Sequence, residues 1–351
     1  MFSQFSQKEL AQKLASKIAS LLGDRELTVM HICGTHEASI ARYGLRHILP
    51  KNLHVIMGPG CPVCITPQGE IDSAIQLAEE GVTIATFGDL LKVPGRNTSL
   101  GDVEGDVRIV QSIDKAVEIA KRVNNEVVFF AVGFETTAPS TASLLKRGAP
   151  DNFSIIPSHR YIPPAMRWLL SQGDANIDGF ILPGHVSTII GMKPYREFNV
   201  PQVIAGFEPL DILYGLYLVV KQIKEGRAEV ENAYTRAVRE EGNVLAQRIM
   251  NEVFHPADSE WRGFPVIENS RMELNEEFRR FDALEKFGVE IKSVKKETGC
   301  ICEKVLRGVA FPTDCRLFAK VCNPQRPVGP CMVSFEGACR IWYKYGERIR
   351  E

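Results

Sequence analysis

Between residues 8 and 22 apolar positions recur every three or four residues, with Leu10, Leu14, Ile18 and Leu21 on one face, which predicts an amphipathic helix. The period then changes. "LTVMHIC" (27–33), "LHVIM" (53–57), "VTIATFG" (82–88), "VRIV" (107–110), "EVVFFAV" (126–132), "FSII" (153–156), "GFIL" (179–182) and "QVIAGF" (202–207) are short, nearly continuous apolar runs. Helix-like stretches alternate with them. Thr66-Pro67, for instance, opens one whose buried stripe is Ile71, Ala74, Ile75 and Ala78, because proline is tolerated in a helix's first turn. Apolar runs without polar alternation fit strands covered on both faces, and alternation with helices fits parallel sheets. The pattern predicts an α/β protein with two doubly wound units of related topology, one over residues 1–105, completed by about 205–221, the other over 106–204. A strand followed by "PGCPV" (59–63) is echoed by a strand followed by "PGHVS" (183–187).

From about residue 222 the texture differs. Residues 228–252 read as one long helix, "FHPADSEWRGFPVI" (254–267) as irregular chain, and a cysteine-rich tail follows. A third domain over 222–351, mainly helical and with few strands, is predicted.

Charge narrows the function. The 351 residues carry 42 basic and 43 acidic side chains, a formal net charge of −1, so there is no footprint for nucleic acid or an anionic membrane. "MFSQFSQKEL" has no apolar signal core and no run is long enough to span a bilayer, which predicts a cytoplasmic protein. In that compartment thiols stay reduced, so nine cysteines, six of them in forty residues, point to metal or redox chemistry.

Ligands of open α/β sheets collect beyond the carboxyl ends of strands. Cys33, Cys61, Glu135 and His185 all fall just past such ends, which predicts one cleft between the halves. In "CGTHE" (33–37), Gly34 permits a tight turn and Thr35 is positioned to cap the next helix. A thiol beside a helix start has a lowered pKa, so Cys33 is expected to carry a large thiolate fraction, with His36 close enough to reach it or a ligand. In "GPGCPVC" (58–64), the Gly-Pro pairs and Pro62 are expected to hold the loop open, with Cys61 and Cys64 facing the cleft. Their spacing suits disulfide closure and soft-metal chelation alike. Plain structural roles compete: Glu135 can cap the following helix and His185 can satisfy a loop carbonyl.

The tail carries Cys300, Cys302, Cys315, Cys322, Cys331 and Cys339. Zinc favours C-x-x-C knuckles, which the tail lacks. A 4Fe–4S cluster needs four thiolates and tolerates wide spacing. Four ligands and a leftover redox pair is the economical partition, and spacing does not say which four.

Together "CGTHE", "GPGCPVCITP" (58–67), "GFETTAPS" (133–140), "LPGHVSTIIG" (182–191), "GFEPLDIL" (206–213) and "GPCMVSFEGAC" (329–339) resemble the HypD family of NiFe-hydrogenase maturation factors, from about residue 30 onward. The resemblance implies a scaffold, not a conventional turnover enzyme. With a small HypC-like partner, it would hold one iron while cyanide and carbon monoxide ligands are added, before delivery to the hydrogenase large subunit. A HypE-like protein would donate cyanide. On this chain the resemblance implies Cys33 as the iron thiolate, Cys61 and Cys64 as an essential pair beside the iron, Cys300, Cys315, Cys322 and Cys339 as 4Fe–4S ligands, and Cys302 with Cys331 as a redox-active pair. His36, Glu135 and His185 would orient ligands or hydrogen-bond cyanide nitrogens. The arrangement is similar to ferredoxin:thioredoxin reductase. A thiol–disulfide oxidoreductase without iron cargo, exchanging through Cys61 and Cys64, is the competing class, and a zinc-stabilised interaction protein the third.

Overall fold

The computed structural model describes residues 4–292 and 298–346. Its strands are β1 (Leu27–His31), β2 (Leu53–Met57), β3 (Thr83–Thr86), β4 (Val107–Ile109), β5 (Val127–Gly133), β6 (Phe153–His159), β7 (Gly179–Pro183), β8 (Gln202–Ala205), β9 (Val230–Asn232), β10 (Phe254–Glu260) and β11 (Val266–Leu274). They form a parallel sheet in the order β2-β1-β7-β8-β9, a second parallel sheet in the order β4-β3-β5-β6, and an antiparallel hairpin, β10-β11. In both sheets the first strand lies between the second and the third, so the two predicted α/β units do share a topology. In each, the chain reverses direction across the sheet beside that first strand, the place where such folds bind ligands.

Alternate residues of each strand serve different cores, as the two-residue period of a strand requires. Val127, Phe129 and Ala131 of β5 pack with Ala138, Ala142, Met250 and Val253. Val128, Phe130 and Val132 turn to the opposite face and join a central core with Met30, Ile56, Cys61, Ile71 and Trp261. The outer face of the first sheet, through Val29, Val55, Ile181 and Val203, buries Ile18, Leu216 and Val219. The helix Gln4–Leu22, predicted from periodicity, lies against the helix Pro209–Glu225 on that face. The central core thus sits between the sheets and joins them.

The sheets draw on the chain differently from the predicted division. β3, within the predicted 1–105 unit, pairs into the second sheet, while β7, within 106–204, and β8, which straddles the boundary at 204–205, pair into the first. The helix Gln68–Glu79 makes the crossing after β2. The long helix expected over 228–252 is not there: β9 occupies Val230–Asn232 and a helix runs only over Val244–Val253. Gly226 and Gly242, both at positive φ (67° and 69°), end one helix and turn into the next, and the Asn243 side chain caps that helix by accepting from Ala246 N–H. "FHPADSEWRGFPVI", expected to be irregular, is most of a β-hairpin. Pro256 and Gly263 disguised it, and the register shifts between Ala257 and Ser259. After Leu274 the described residues contain helices and turns and no further strand. No helix among the described residues is long and apolar enough to cross a membrane.

Candidate functional site

Register aligns the loops that matter. His31 pairs with Met57 and Ile181, so β1, β2 and β7 end together at one edge, and Cys33, the Gly58–Cys64 loop and His185 leave the sheet side by side. Gly60 lies so close to Cys33 that a Cβ there would overlap the Cys33 amide. Gly34 N–H donates to Gly60 O (3.3 Å).

Cys33 is extended (φ −160°, ψ 127°) and is itself the N-cap residue of the helix Gly34–Arg42. Thr35, predicted as the cap, lies inside the first turn, and its hydroxyl donates to Glu336 Oε1 (3.4 Å). The predicted low pKa of Cys33 is also overturned. Burial, then the Glu336 carboxylate, push the thiol up to about 11, against the N–H groups of His36 and Thr35. Only 7% of Cys33 is exposed, so loss of hydration outweighs the helix start. Glu336 comes from the tail, and a Cβ on Gly34 would strike it. The tail is therefore folded directly over Cys33.

Cys61 and Cys64 are joined by a disulfide. The loop is not open, nor are the sulfurs in an exposed cleft: both residues are fully buried in the central core beside Ile32, Val63 and Ile65. Pro62 instead begins a short helix, Pro62–Ile65, on which Cys61 Sγ accepts from Cys64 N–H (3.1 Å).

His36 is buried, with Nε2 3.0 Å from Gly206 O at the end of β8, so that nitrogen carries the proton and Nδ1 is left as an acceptor without a protein partner. Burial, then the neighbouring His31, lower its pKa to about 3. Phe207 lies between His36 (5.0 Å) and His185 (4.0 Å), ring centre to ring centre. His185 is exposed, and what burial it has lowers its pKa. Glu135 arrives from the end of β5 in the other sheet. One carboxylate oxygen, Oε1, accepts from Ile162 N–H (2.9 Å), and buried Oε2 has no protein partner. Burial raises its pKa to about 7. Tyr195, whose hydroxyl is 3.2 Å from Ser187 Oγ, feels both Glu135 and Cys33, so it links the groups from the two sheets.

No pattern in the sequence marks Tyr195 or the network around Glu37. Glu37 is fully buried and bonds His31 Nε2 (2.8 Å), Arg46 Nη1 and Nη2 (3.0 and 2.8 Å) and Trp342 Nε1 (2.6 Å). Burial works to raise its pKa, but Arg46 and His31 prevail and hold the carboxyl well below its ordinary range. Because Glu37 follows Cys33 on one helix and Trp342 follows Cys339 on another, this network ties the two thiol regions together.

The tail thiols form a second group. Cys300 Sγ donates to Cys302 Sγ (3.2 Å). That bond and the nearby Cys331 and Cys339 thiols hold Cys302 well below the ordinary thiol range, and Cys302 in turn holds Cys300, Cys331 and Cys339 above it. Cys322 Sγ accepts from Val328 N–H (3.3 Å), and Cys315 is within electrostatic reach of Cys300 and Cys322. A Cβ on Gly329 would lie 2.6 Å from the sulfurs of both Cys300 and Cys302, so any larger residue there would have to displace those two side chains. No three His, Cys, Asp or Glu residues among those described are spaced to hold one metal ion. The donor chemistry, six soft thiols in one place, fits an iron–sulfur cluster.

Comparison with known proteins places this arrangement in context. The sequence model of the HypD family, described as "Hydrogenase formation hypA family", matches residues 9–346. The chain is 50% identical over 344 residues to a putative hydrogenase expression/formation protein of Methanocaldococcus jannaschii, covering 95% of this chain and 94% of the relative. It is 43% identical to the hydrogenase maturation factor HypD of Cupriavidus necator (98% and 96% covered) and 42% identical to that of Escherichia coli K12 (95% and 92%).

Proposed function

This chain belongs to the HypD family of hydrogenase maturation factors, and on that premise we propose that it is the scaffold on which the iron of a NiFe-hydrogenase receives its cyanide and carbonyl ligands. One observation carries the reading: the C-x-x-C loop, through Gly60, and the cysteine-bearing tail, through Glu336, both close on Cys33 at the reversal point of the first sheet. A lone thiol enclosed in that way suits a soft ferrous cargo.

In this reading Cys33 holds the cargo iron together with a cysteine of a small HypC-like partner, and a HypE-like protein delivers cyanide as a thiocyanate. Cleaving it, RSCN + 2e⁻ → RS⁻ + CN⁻, consumes two electrons. Cys302 and Cys331, neighbouring thiols of the tail, would supply them by closing to a disulfide with release of two protons. Cys300, Cys315, Cys322 and Cys339 would hold a 4Fe–4S cluster, which transfers single electrons when bound. Glu135, with a pKa of about 7 and a free Oε2, is able to donate a hydrogen bond when protonated, as a cyanide nitrogen requires. His36 cannot donate in the same way, because its proton faces Gly206; Nδ1 accepts instead. His185, exposed and stacked on Phe207, is the more suitable imidazole donor.

The oxidoreductase alternative draws support from the Cys61–Cys64 disulfide. Burial of both sulfurs weighs against it, since exchange needs an attacking thiolate in line with the bond. The test is infrared spectroscopy on the anaerobic complex with a HypC-like partner. Cyanide and carbonyl stretches are expected in wild type and absent in Cys33→Ser, whose visible cluster absorption persists. Bands that survive Cys33→Ser would refute the assignment.

A further inference from the structure

Of the motifs that mark this chain, "GFEPLDIL" (206–213) alone supplies no donor or ligand to the function proposed above. It follows β8 and opens the helix Pro209–Glu225. Pro209 is the first residue of that helix, where it costs no hydrogen bond, and Asp211 Oδ2 accepts from Glu208 N–H (3.3 Å) to close the first turn. Phe207 has no part in that helix start. It is gripped instead by the helix that begins beside Cys33. His36 and Ser39, three residues apart on Gly34–Arg42 and so on one face, meet two consecutive carbonyls: His36 Nε2 is 3.0 Å from Gly206 O, and Ser39 Oγ donates to Phe207 O (2.7 Å). The Phe207 ring then lies against His185, 4.0 Å away with the planes 31° apart, as well as against His36. Tyr234 packs edge-on against the same ring (5.9 Å, 83°) and fills the space over Gly184 and Gly206, where a Cβ would come within 2.9 and 2.8 Å of the tyrosine ring. Arg236 covers Tyr234 (4.5 Å) and is itself held by Asp211 of the motif (3.0 Å). Among the described residues none hydrogen-bonds the His185 imidazole, so the aromatic stack is what orients it.

We infer that Phe207 is a positioning residue: its ring, clamped through Ser39 to the helix that begins beside Cys33, sets the orientation of the His185 imidazole. The inference rests on the reading of His185 as a hydrogen-bond donor to bound cyanide. Orientation matters because a neutral imidazole has a single N–H, and His185, its pKa lowered by partial burial, is neutral at neutral pH. An unstacked ring on the surface would turn about its side-chain bonds and present that N–H in several directions, whereas a ring held flat on another presents it in few. Phenylalanine suits the place because it offers a face and no polar atom that competes for the imidazole. Tyrosine would keep that face, and leucine would remove it.

The experiment uses full-length protein with isotopically labelled histidines and the variants F207L, F207Y, S39A, H185A and H185A/F207L. Magnetic resonance without iron reads the ring signals, and H185A identifies which belong to His185. In wild type and F207Y these signals are expected to be displaced by the ring current of the facing aromatic. F207L is expected to return them to the position of an unstacked histidine. S39A, which releases the Phe207 carbonyl, is expected to move them part of the way in the same direction, and it carries the test if F207L does not fold. Hydrogenase maturation is then measured by complementation. F207L is expected to slow it about tenfold, and F207Y to stay within about twofold of wild type. H185A/F207L is expected to be no slower than H185A, because a residue that acts only through His185 adds nothing once that ring is gone. His185 signals unmoved in folded F207L, or in S39A where F207L does not fold, overturn the inference, as does maturation by F207L at the wild-type rate. A double variant slower than H185A overturns it too, since Phe207 would then act through another contact such as His36; the donor role of His185 survives all three results. Maturation by H185A at the wild-type rate overturns that donor role and this inference with it.

Discussion

Cys33 and Cys302 both stand at the first turn of a helix, yet their surroundings drive them in opposite directions. Cys33 caps Gly34–Arg42 and is pushed up to about 11 by burial and by Glu336, whereas Cys302 opens Cys302–Leu306 and is held well below the ordinary range by the neighbouring tail thiols, Cys300 first. A helix start therefore does not decide a thiol's character; the groups that replace its water do. Cys33 is held by parallel register and by backbone packed on backbone. The tail cysteines are held by turns, with sulfur packed on sulfur.

The largest effect that separates the two regions is expected from adding one methyl group to each. In Gly60→Ala the new Cβ would meet the Cys33 amide nitrogen and Ile32 carbonyl carbon, main-chain atoms that cannot rotate away. A loss of about 3 kcal/mol or more is expected. In Gly329→Ala the obstacles are the sulfurs of Cys300 and Cys302, ends of side chains that can turn, so about 1–2 kcal/mol is expected. Denaturant midpoints of the two variants check the order. Gly329→Ala costing more than Gly60→Ala would break the contrast between a backbone-held and a side-chain-held region.

That contrast also explains what the sequence allowed one to read. β5 and β6 were legible because every residue in them is buried, which leaves an apolar run that needs no partner to be recognised. The positions of Cys33 and His185 at strand ends followed, since parallel strands that end together bring their loops to one edge. Glu336 over Gly34 was not legible: those residues are 302 apart in the chain, and nothing local marks the approach. The same holds for Glu37, whose acidic side chain reads as solvent-facing until Trp342, 305 residues on, covers it. The high pKa of Cys33 failed to show for that reason, as burial is a property of the closed tail. The hairpin was missed for a local reason, because Pro256 and Gly263 interrupt an alternating pattern that faces water on one side.

A pH series sharpens the comparison at intermediate size. Glu135 sits at the Cys33 edge with a pKa raised to about 7 by burial, against 4.5 ordinarily. Between those values the folded state binds the proton more tightly than the unfolded chain, so this group's contribution is fully present below about 4.5 and is lost as pH rises through about 7. Glu135→Gln keeps an oxygen for Ile162 N–H and removes the charge. The variant is expected to be more stable than wild type at pH 8, by about 1–3 kcal/mol, and to converge with it near pH 5. Urea unfolding at the two pH values measures this, and parallel curves would mean that Glu135 is not enclosed as described.

The smallest effect tests which residue begins the helix that follows Cys33. A true N-cap hydroxyl satisfies one of the free N–H groups of the first turn, and its loss typically costs about 1 kcal/mol. Thr35 does not have that position. Cys33 is the capping residue, Thr35 is the second residue of the first turn, and its hydroxyl reaches Glu336 at 3.4 Å, a long and weak hydrogen bond. Thr35→Val preserves the branched shape and removes only the hydroxyl. The expected loss is therefore about 0.5 kcal/mol or less, a change of about 1–2 °C in melting temperature for a chain of this size. Because valine cannot hydrogen-bond the Glu336 carboxyl, the variant also asks whether the tail stays closed over Cys33 by packing alone. Packing is expected to suffice, since Gly34 lies directly beneath the Glu336 backbone. Alkylation of Cys33 in the native protein should then remain as slow as in wild type. A loss of a full kcal/mol without faster alkylation would restore Thr35 as the cap; fast alkylation would show that the Thr35–Glu336 hydrogen bond, and not the packing at Gly34, keeps the tail closed.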